Sequence, residues 1–291
     1  MKTLEIEPLH QDFAARVHGV DLTTNLDAQL VEAIKETIDT YSFVCFAAQD
    51  MNDDAQLRFT RALGEPEPNH IVYGATGEVV YLGTVGNVID AKTQRGNEDP
   101  HTLHQTGNNM WHSDSSFRPV PSLVSINHAY EVPGEGGQTE FVSMRAAYDR
   151  LPHDIRSTID PLLILHDYVF SRSQVAPINA NHAAAMPPVE HKLVRTNPRN
   201  GRKNYYVGSH ARSIIGWGGV DSRQLIDDLL ARATRPEDVY SHRWSVGDTV
   251  VWDNRCLLHK ANSNFNANRH ARVMHRTCLR GHLPAQGTPD S

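Results

Sequence analysis

What most limits the fold of this chain is its division into many short β-prone runs. "SFVCFAA" (42–48), "SLVSINHAYEV" (122–132), "GGQTEFVSM" (136–144), "RCLLHKA" (255–261) and "HARVMHRTCLRG" (270–281) carry β-branched, aromatic and aliphatic residues between turn-formers. "LEIEPL", "ARVHGVDL" and "EVVYLGTV" read the same way. "KLVRTNPRNGRKNYYVG" and "HRWSVGDTVVWDN" read as hairpins, the second turning at Gly247-Asp248. Helices are expected at 26–41, where Leu30, Ile34 and Ile38 share a face, at 52–65 with Asn52 as N-cap and Gly64 as stop, at 143–151 with Ser143 as N-cap, and at 221–234. Short strands with a few helices suit a mainly β fold, a sandwich or barrel decorated by helices. One domain over 1–291 is expected. The aperiodic stretch 86–109 is long for a loop; it reads either as a loose surface excursion or, since it leads into His112, as a lid at about 85–110.

Within that frame, "NNMWHSDSSF" (108–117) places His112 and Asp114 two residues apart. On an extended segment, residues i and i+2 face the same way, so both side chains would converge as metal ligands do. In a turn, Asp114 would instead cap a backbone N–H. A facial Fe(II) site needs a second histidine. His259 in "WDNRCLLHKA", 147 positions further on, lies on a core-like strand; taken alone it also suits a satisfied core histidine. "RVMHR" puts Arg272 and Arg276 on one strand face. Facing inward they require anions, and a planar guanidinium grips a carboxylate bidentately. Facing outward they are an ordinary solvated surface. The 17 histidines add weight to chemistry. Net charge −6 argues against a nucleic-acid partner, and no apolar run is long enough for a membrane helix. Three cysteines and no apolar leader at the N-terminus lead to the expectation of a cytoplasmic protein.

"NMWHSDSSF", "GGQTEFVSMRAAYDRLP", "HRWSVGDTVVWDNRCLLH" and "RVMHRTCLRG", in this order, resemble the taurine dioxygenase / 2,4-dichlorophenoxyacetate dioxygenase family of Fe(II)- and 2-oxoglutarate-dependent enzymes. "MRAAYDRLP", "MPPVEHKLVRT" and "WDNRCLLH" are most similar to its aryloxyalkanoate branch. The resemblance implies a double-stranded β-helix, or jelly roll. It implies iron held by His112, Asp114 and His259, with O₂ as co-reactant. It implies that 2-oxoglutarate meets Arg272 and Thr139 at its distal carboxylate and Asn108 near the metal. Arg276, with Lys92, His210 and His70 from the loops, would meet a small anionic aromatic substrate. The sequence departs from the branch at His70, where a lysine is expected, and at Asn197, where a histidine is expected. The expected reaction hydroxylates the carbon next to an aryl ether oxygen, giving a phenol, a 2-oxoacid, succinate and CO₂. An alkyl sulfonate or sulfate substrate, or a non-catalytic metal-binding protein on the same fold, stands as the alternative. A homo-oligomer is expected.

Overall fold

The structure is a computed structural model. It describes residues 4–68, 79–90, 93–96, 98–99, 106–175, 178, 183–184 and 186–281. Its centre is a jelly roll in which two antiparallel sheets face each other. The larger sheet has seven strands, in the order Glu5–Pro8, Ala15–His18, Phe43–Phe46, Thr249–Asp253, Ser122–Glu131, Val273–Arg280 and Gly83–Gly86. Only the pairing of Ala15–His18 with Phe43–Phe46 is parallel in this sheet. The smaller sheet runs Tyr240–His242, Thr139–Ser143, Leu257–Ala261.

Alternation along the strands sorts side chains into layers. Phe43, Cys45, Val250, Trp252, Phe141, Leu257 and Met274 fill the space between the sheets. Val44, Phe46, Ile126 and Val251 point the other way, onto the helices Ala28–Tyr41 and Asp53–Leu63. The second starts where expected, with Asn52 accepting from the Ala55 N–H; the first starts at Ala28 rather than at 26, because Asp27 accepts from the Leu30 N–H and caps it. Ser143 caps Met144–Asp149 in the same way. On the outer face of the smaller sheet, Val142 and Leu258 join a third cluster, with the helix Gly219–Ala233 and the strands Leu163–His166 and Ala211–Ile214.

Two expectations need correction. "HRWSVGDTVVWDN" is not a hairpin: Tyr240–His242 pairs with Thr139–Ser143, whereas Thr249–Asp253 pairs with Phe43–Phe46 and Ser122–Glu131. The Gly247-Asp248 turn therefore crosses between the sheets. Burial decides this, because Trp244 and Asp248 are both pulled into the interior. Gly247 has φ +85°, and a Cβ there would lie 3.1 Å from the Gln49 carbonyl oxygen. In "EVVYLGTV" only Gly83–Gly86 is paired, and Val79 and Val80 stay exposed. The stretch read as an aperiodic lid carries a short ladder between Val88–Asp90 and Thr93–Gln94 and a 3₁₀ turn at Thr106–Asn109. Lys92 and His70 lie outside the described residues. Among the described residues, no helix is long and apolar enough to cross a membrane.

Candidate active site

An isolated β-bridge brings the two distant histidines together. The His112 N–H donates to the His259 carbonyl at 3.0 Å, and the His259 N–H returns to the His112 carbonyl at 2.8 Å. Residues that exchange both backbone bonds have their side chains side by side on one sheet face. The two imidazoles stand 4.2 Å apart between centroids. Asp114, two residues on, joins the same face, with Oδ2 at 3.8 Å from His259 Nε2. One ligand atom from each of the three residues lies within 4.8 Å of the others, and all three residues are buried.

The surroundings fit a metal. His112 Nδ1 sits 2.8 Å from the Met110 carbonyl, so Nδ1–H donates there and Nε2 keeps its lone pair. Burial is the main cause that lowers the pKa of both imidazoles, that of His259 to about 3. Both are therefore neutral and able to ligate at ordinary pH. Burial alone would raise the Asp114 carboxyl. Arg276, then His259 and His112, and the Ser125 hydroxyl outweigh it and hold the carboxyl well below the usual range. A neutral His–His–carboxylate set is the donor chemistry of a mononuclear non-haem Fe(II) site, with coordination positions left open.

Arg276, expected at the substrate's anion, donates through Nη1 to Asp114 Oδ1 at 2.9 Å. No other hydrogen bond from its guanidinium falls among the described residues. Arg272 behaves differently. It is 7 % exposed, its Nε has no partner, and no ion pair to it falls among the described residues. Burial lowers its pKa to about 10, so among the described residues it is a cation without an anion. Thr139 is buried on the smaller sheet, and its Oγ accepts the Trp244 indole N–H at 2.9 Å. Its own hydroxyl proton is thereby left to donate elsewhere. Arg272, Asn87, Asn108, Gly137 and Phe265 line a cavity of about 290 Å³. Asn108 accepts from Arg172 Nη2 at 3.1 Å. An unpaired buried arginine beside a cavity fits a dicarboxylate such as 2-oxoglutarate.

His210 is buried near His112, with ring centroids 6.5 Å apart. Its Nδ1 meets the Ser116 hydroxyl at 3.1 Å, while Nε2 has no partner. Burial holds its pKa well below 6.5, so it is neutral. Asn197 lies elsewhere, bonding Asp39 and the Arg199 N–H within its turn.

Sequence reasoning missed the residues that orient this set. Asn254 Oδ1 accepts from the Asp114 N–H at 3.2 Å and from Trp252 Nε1–H at 3.1 Å. Its Nδ2 must then donate to the Ser125 Oγ, at 2.8 Å, and Ser125 must donate to Asp114 Oδ2, at 2.7 Å. Asn87 does comparable work for Arg272. Its Oδ1 accepts the Arg272 N–H, and its Nδ2 donates to the Ala267 and His270 carbonyls. Beside it, Gly86 approaches so closely that a Cβ would lie 1.8 Å from the Arg272 carbonyl oxygen. The available signal was parity: Ser125 is a small polar residue on the inward face of a core strand.

Ser125→Ala is expected to weaken Fe(II) binding roughly 10- to 100-fold, the usual cost of losing a partner behind a metal ligand. Ser125→Thr, which keeps the hydroxyl, should recover most of it. Fe(II) titration of the two variants is the check, and equal affinities in Ser125→Ala and wild type would remove Ser125 from this role.

A second expectation concerns acid. His112, His166, His210 and His259 all have folded pKa values depressed chiefly by burial, His166 and His259 to about 3. The unfolded chain therefore binds more protons below the ordinary histidine value. Their contribution to stability is present above about pH 6.5 and is lost as pH falls, by up to ~1.4 kcal/mol per pH unit for each histidine. Urea unfolding of the metal-free protein above and below that pH should show the midpoint dropping. A flat profile would mean that these rings titrate in the folded state as they do in the unfolded chain.

The sequence model of the family described as "Taurine catabolism dioxygenase TauD, TfdA family" matches residues 5–278. The alpha-ketoglutarate-dependent 2,4-dichlorophenoxyacetate dioxygenase of Cupriavidus pinatubonensis is 38 % identical over 266 residues, covering 87 % of this chain and 90 % of that protein. The (S)-phenoxypropionate/alpha-ketoglutarate-dioxygenase of Sphingobium herbicidovorans is 32 % identical, covering 88 % of each chain. Among solved structures, AAD-2 in complex with Mn(II) and N-oxalylglycine superposes with a TM-score of 0.88 at 32 % identity, covering 100 % of this chain and 99 % of that one.

Proposed function

Because the chain belongs to the TauD, TfdA family, we propose that it is an Fe(II)- and 2-oxoglutarate-dependent dioxygenase acting on aryloxyacetate-type acids. The observation that carries the enzymatic reading is a buried His–Asp–His set with an unpaired buried arginine close along the chain from Arg276, which holds Asp114. His112, Asp114 and His259 would hold the metal. Iron, with O₂ and 2-oxoglutarate, supplies the oxidation, converting the keto acid to succinate and CO₂ and hydroxylating a substrate C–H bond.

The chain's own residues bind and orient. Arg272 and the Thr139 hydroxyl would take the distal carboxylate of 2-oxoglutarate, and Asn108 would meet the cosubstrate near the metal. Arg276 keeps one Nη on Asp114 and has donors left for a substrate carboxylate. Neutral His210, with Nε2 unpartnered, would add a hydrogen bond to the same substrate. Lys92 and His70 are proposed to complete the anion site from the loops, with 85–110 covering it. Phe117 packs on His210 at 4.9 Å and offers an apolar wall for an aryl ring. A hydroxyl placed on the carbon next to the ether oxygen makes a hemiacetal, which collapses to a phenol and a 2-oxoacid.

The substrate preference rests on the 2,4-dichlorophenoxyacetate and phenoxypropionate relatives. Phenol and succinate should be measured together for aryloxyacetates, 2-aryloxypropionates, taurine and alkyl sulfates at equal concentration. Phenol should rise in step with succinate for an aryloxyalkanoate, with little succinate from taurine. Efficient taurine turnover with no phenol from any aryloxy acid would overturn the substrate assignment and leave the dioxygenase chemistry.

A further inference from the structure

A second group of potential ligands lies in the jelly-roll interior, apart from the site above. Cys45 comes from the strand Phe43–Phe46, His242 from the end of Tyr240–His242, and Asp248 from the turn that crosses between the sheets. All three are buried, and one ligand atom of each lies within 4.8 Å of the others, the same criterion that His112, Asp114 and His259 meet.

His242 Nε2 and Asp248 Oδ2 are 3.2 Å apart, yet Nε2 has no hydrogen-bond partner. The two atoms are close but not aimed at one another. Ligands that converge on a shared ion have this relation. Bond lengths of about 2.0–2.2 Å to a tetrahedral zinc ion put neighbouring N and O ligands about 3.3 Å apart. His242 is 2 % exposed, so its unpartnered nitrogen is a buried polar group left unsatisfied by the protein. Its other nitrogen, Nδ1, stands 3.4 Å from the Tyr240 hydroxyl, a position that can fix the ring's tautomer behind a ligand. Phe43 and Trp244 pack around the imidazole.

We propose that Cys45, His242 and Asp248 form a second metal site, for a thiophilic divalent ion of the zinc type. The donor set distinguishes it from the iron site, because a thiolate selects zinc-like ions over the magnesium or calcium class. Burial, aided by Asp248, pushes the Cys45 thiol up to about 12, while Arg16 acts in the opposite direction. A divalent ion that binds the thiol displaces its proton to solvent. The ion would tie the two facing sheets together where Asp248 enters the interior.

Cobalt(II) is the probe, since a cobalt–thiolate bond gives a near-ultraviolet charge-transfer band that a His–Asp–His site cannot give. Full-length protein produced in cobalt-supplemented medium should hold a second equivalent of metal and show this band. His112→Ala should lose one equivalent and keep the band. Cys45→Ser should lose the band, and His242→Gln should weaken or abolish it. A single equivalent with no thiolate band in the wild-type protein overturns the proposal without any variant having to fold. A band that survives in Cys45→Ser overturns it as well, by assigning the thiolate to Cys256 or Cys278.

Discussion

Asp114→Ala should bring dioxygenase turnover to background and weaken Fe(II) binding by more than the 10- to 100-fold expected for a residue behind a ligand. The carboxylate does two jobs. Its Oδ2 faces His259 and takes the Ser125 hydrogen bond, and its Oδ1 takes Arg276. Removing it deletes a proposed ligand and leaves a cation without its partner. Breaking a fully buried ion pair costs roughly 3–5 kcal/mol. The Arg276 side chain is 28 % exposed, so solvent should reduce that cost to the lower end or below. The metal-free Asp114→Ala protein should therefore melt earlier than the wild type. His112→Ala should lose metal binding as well, but it leaves the Asp114–Arg276 pair intact, so its metal-free form should melt later than that of Asp114→Ala. Fe(II) titration, succinate production and thermal melts of the three proteins test this together. Wild-type-like turnover in Asp114→Ala would exclude the triad.

The second large effect belongs to Arg272. A charge-assisted pair in a buried site is worth about 2–5 kcal/mol to binding. At 1.4 kcal/mol per tenfold this corresponds to a loss of roughly 30- to several-thousand-fold in affinity for 2-oxoglutarate on truncation to Ala. Fe(II) binding should persist, since Arg272 touches none of the three proposed ligands. The same change should act in the opposite direction on the metal-free protein. Arg272 is buried with no anion among the described residues, and burial has lowered its pKa. The folded state therefore holds that proton less tightly than the unfolded chain, and the charge is a cost to folding until an anion arrives. Arg272→Met, which keeps apolar bulk, should raise the melting temperature of the metal-free protein while removing the rise that 2-oxoglutarate gives the wild type. Unchanged affinity for 2-oxoglutarate would assign its distal carboxylate to another cation.

Elements with a local signature were legible in the chain. Asn52 and Ser143 cap helices that begin where their side chains can meet a free N–H, and this depends on a few neighbouring residues. The inward parity of Met274 and Arg276, and the shared face of His112 and Asp114, follow from the two-residue repeat of extended chain. Orientation across sheets was not legible. "HRWSVGDTVVWDN" has the turn chemistry of a hairpin, but its two halves join different sheets because Trp244 and Asp248 are buried between them.

Composition and spacing by themselves determined a mainly β chain with capped helices; they offered His112, Asp114, His259, Arg272 and Arg276 as candidates, and the order of the family-like motifs joined these into one site. His112 and Asp114 show themselves through a spacing of two and Arg272 and Arg276 through a spacing of four, whereas His259 answers only the need for a second histidine. Only the tertiary structure decided what these residues meet. The bridge between His112 and His259 aligns two imidazoles from distant strands. The chain Trp252–Asn254–Ser125–Asp114 passes through four residues with no common motif. Arg276 lies against Asp114, while Arg272, which precedes the strand Val273–Arg280 and is set off by a bulge at Val273/Met274, keeps its Nε without a partner. Cys45, His242 and Asp248 gave no signal as a set, because they sit on separate strands and a turn. The physical reason is common to all of them: a hydrogen bond or an ion pair depends on distances across sheets, and long-range pairing sets those distances.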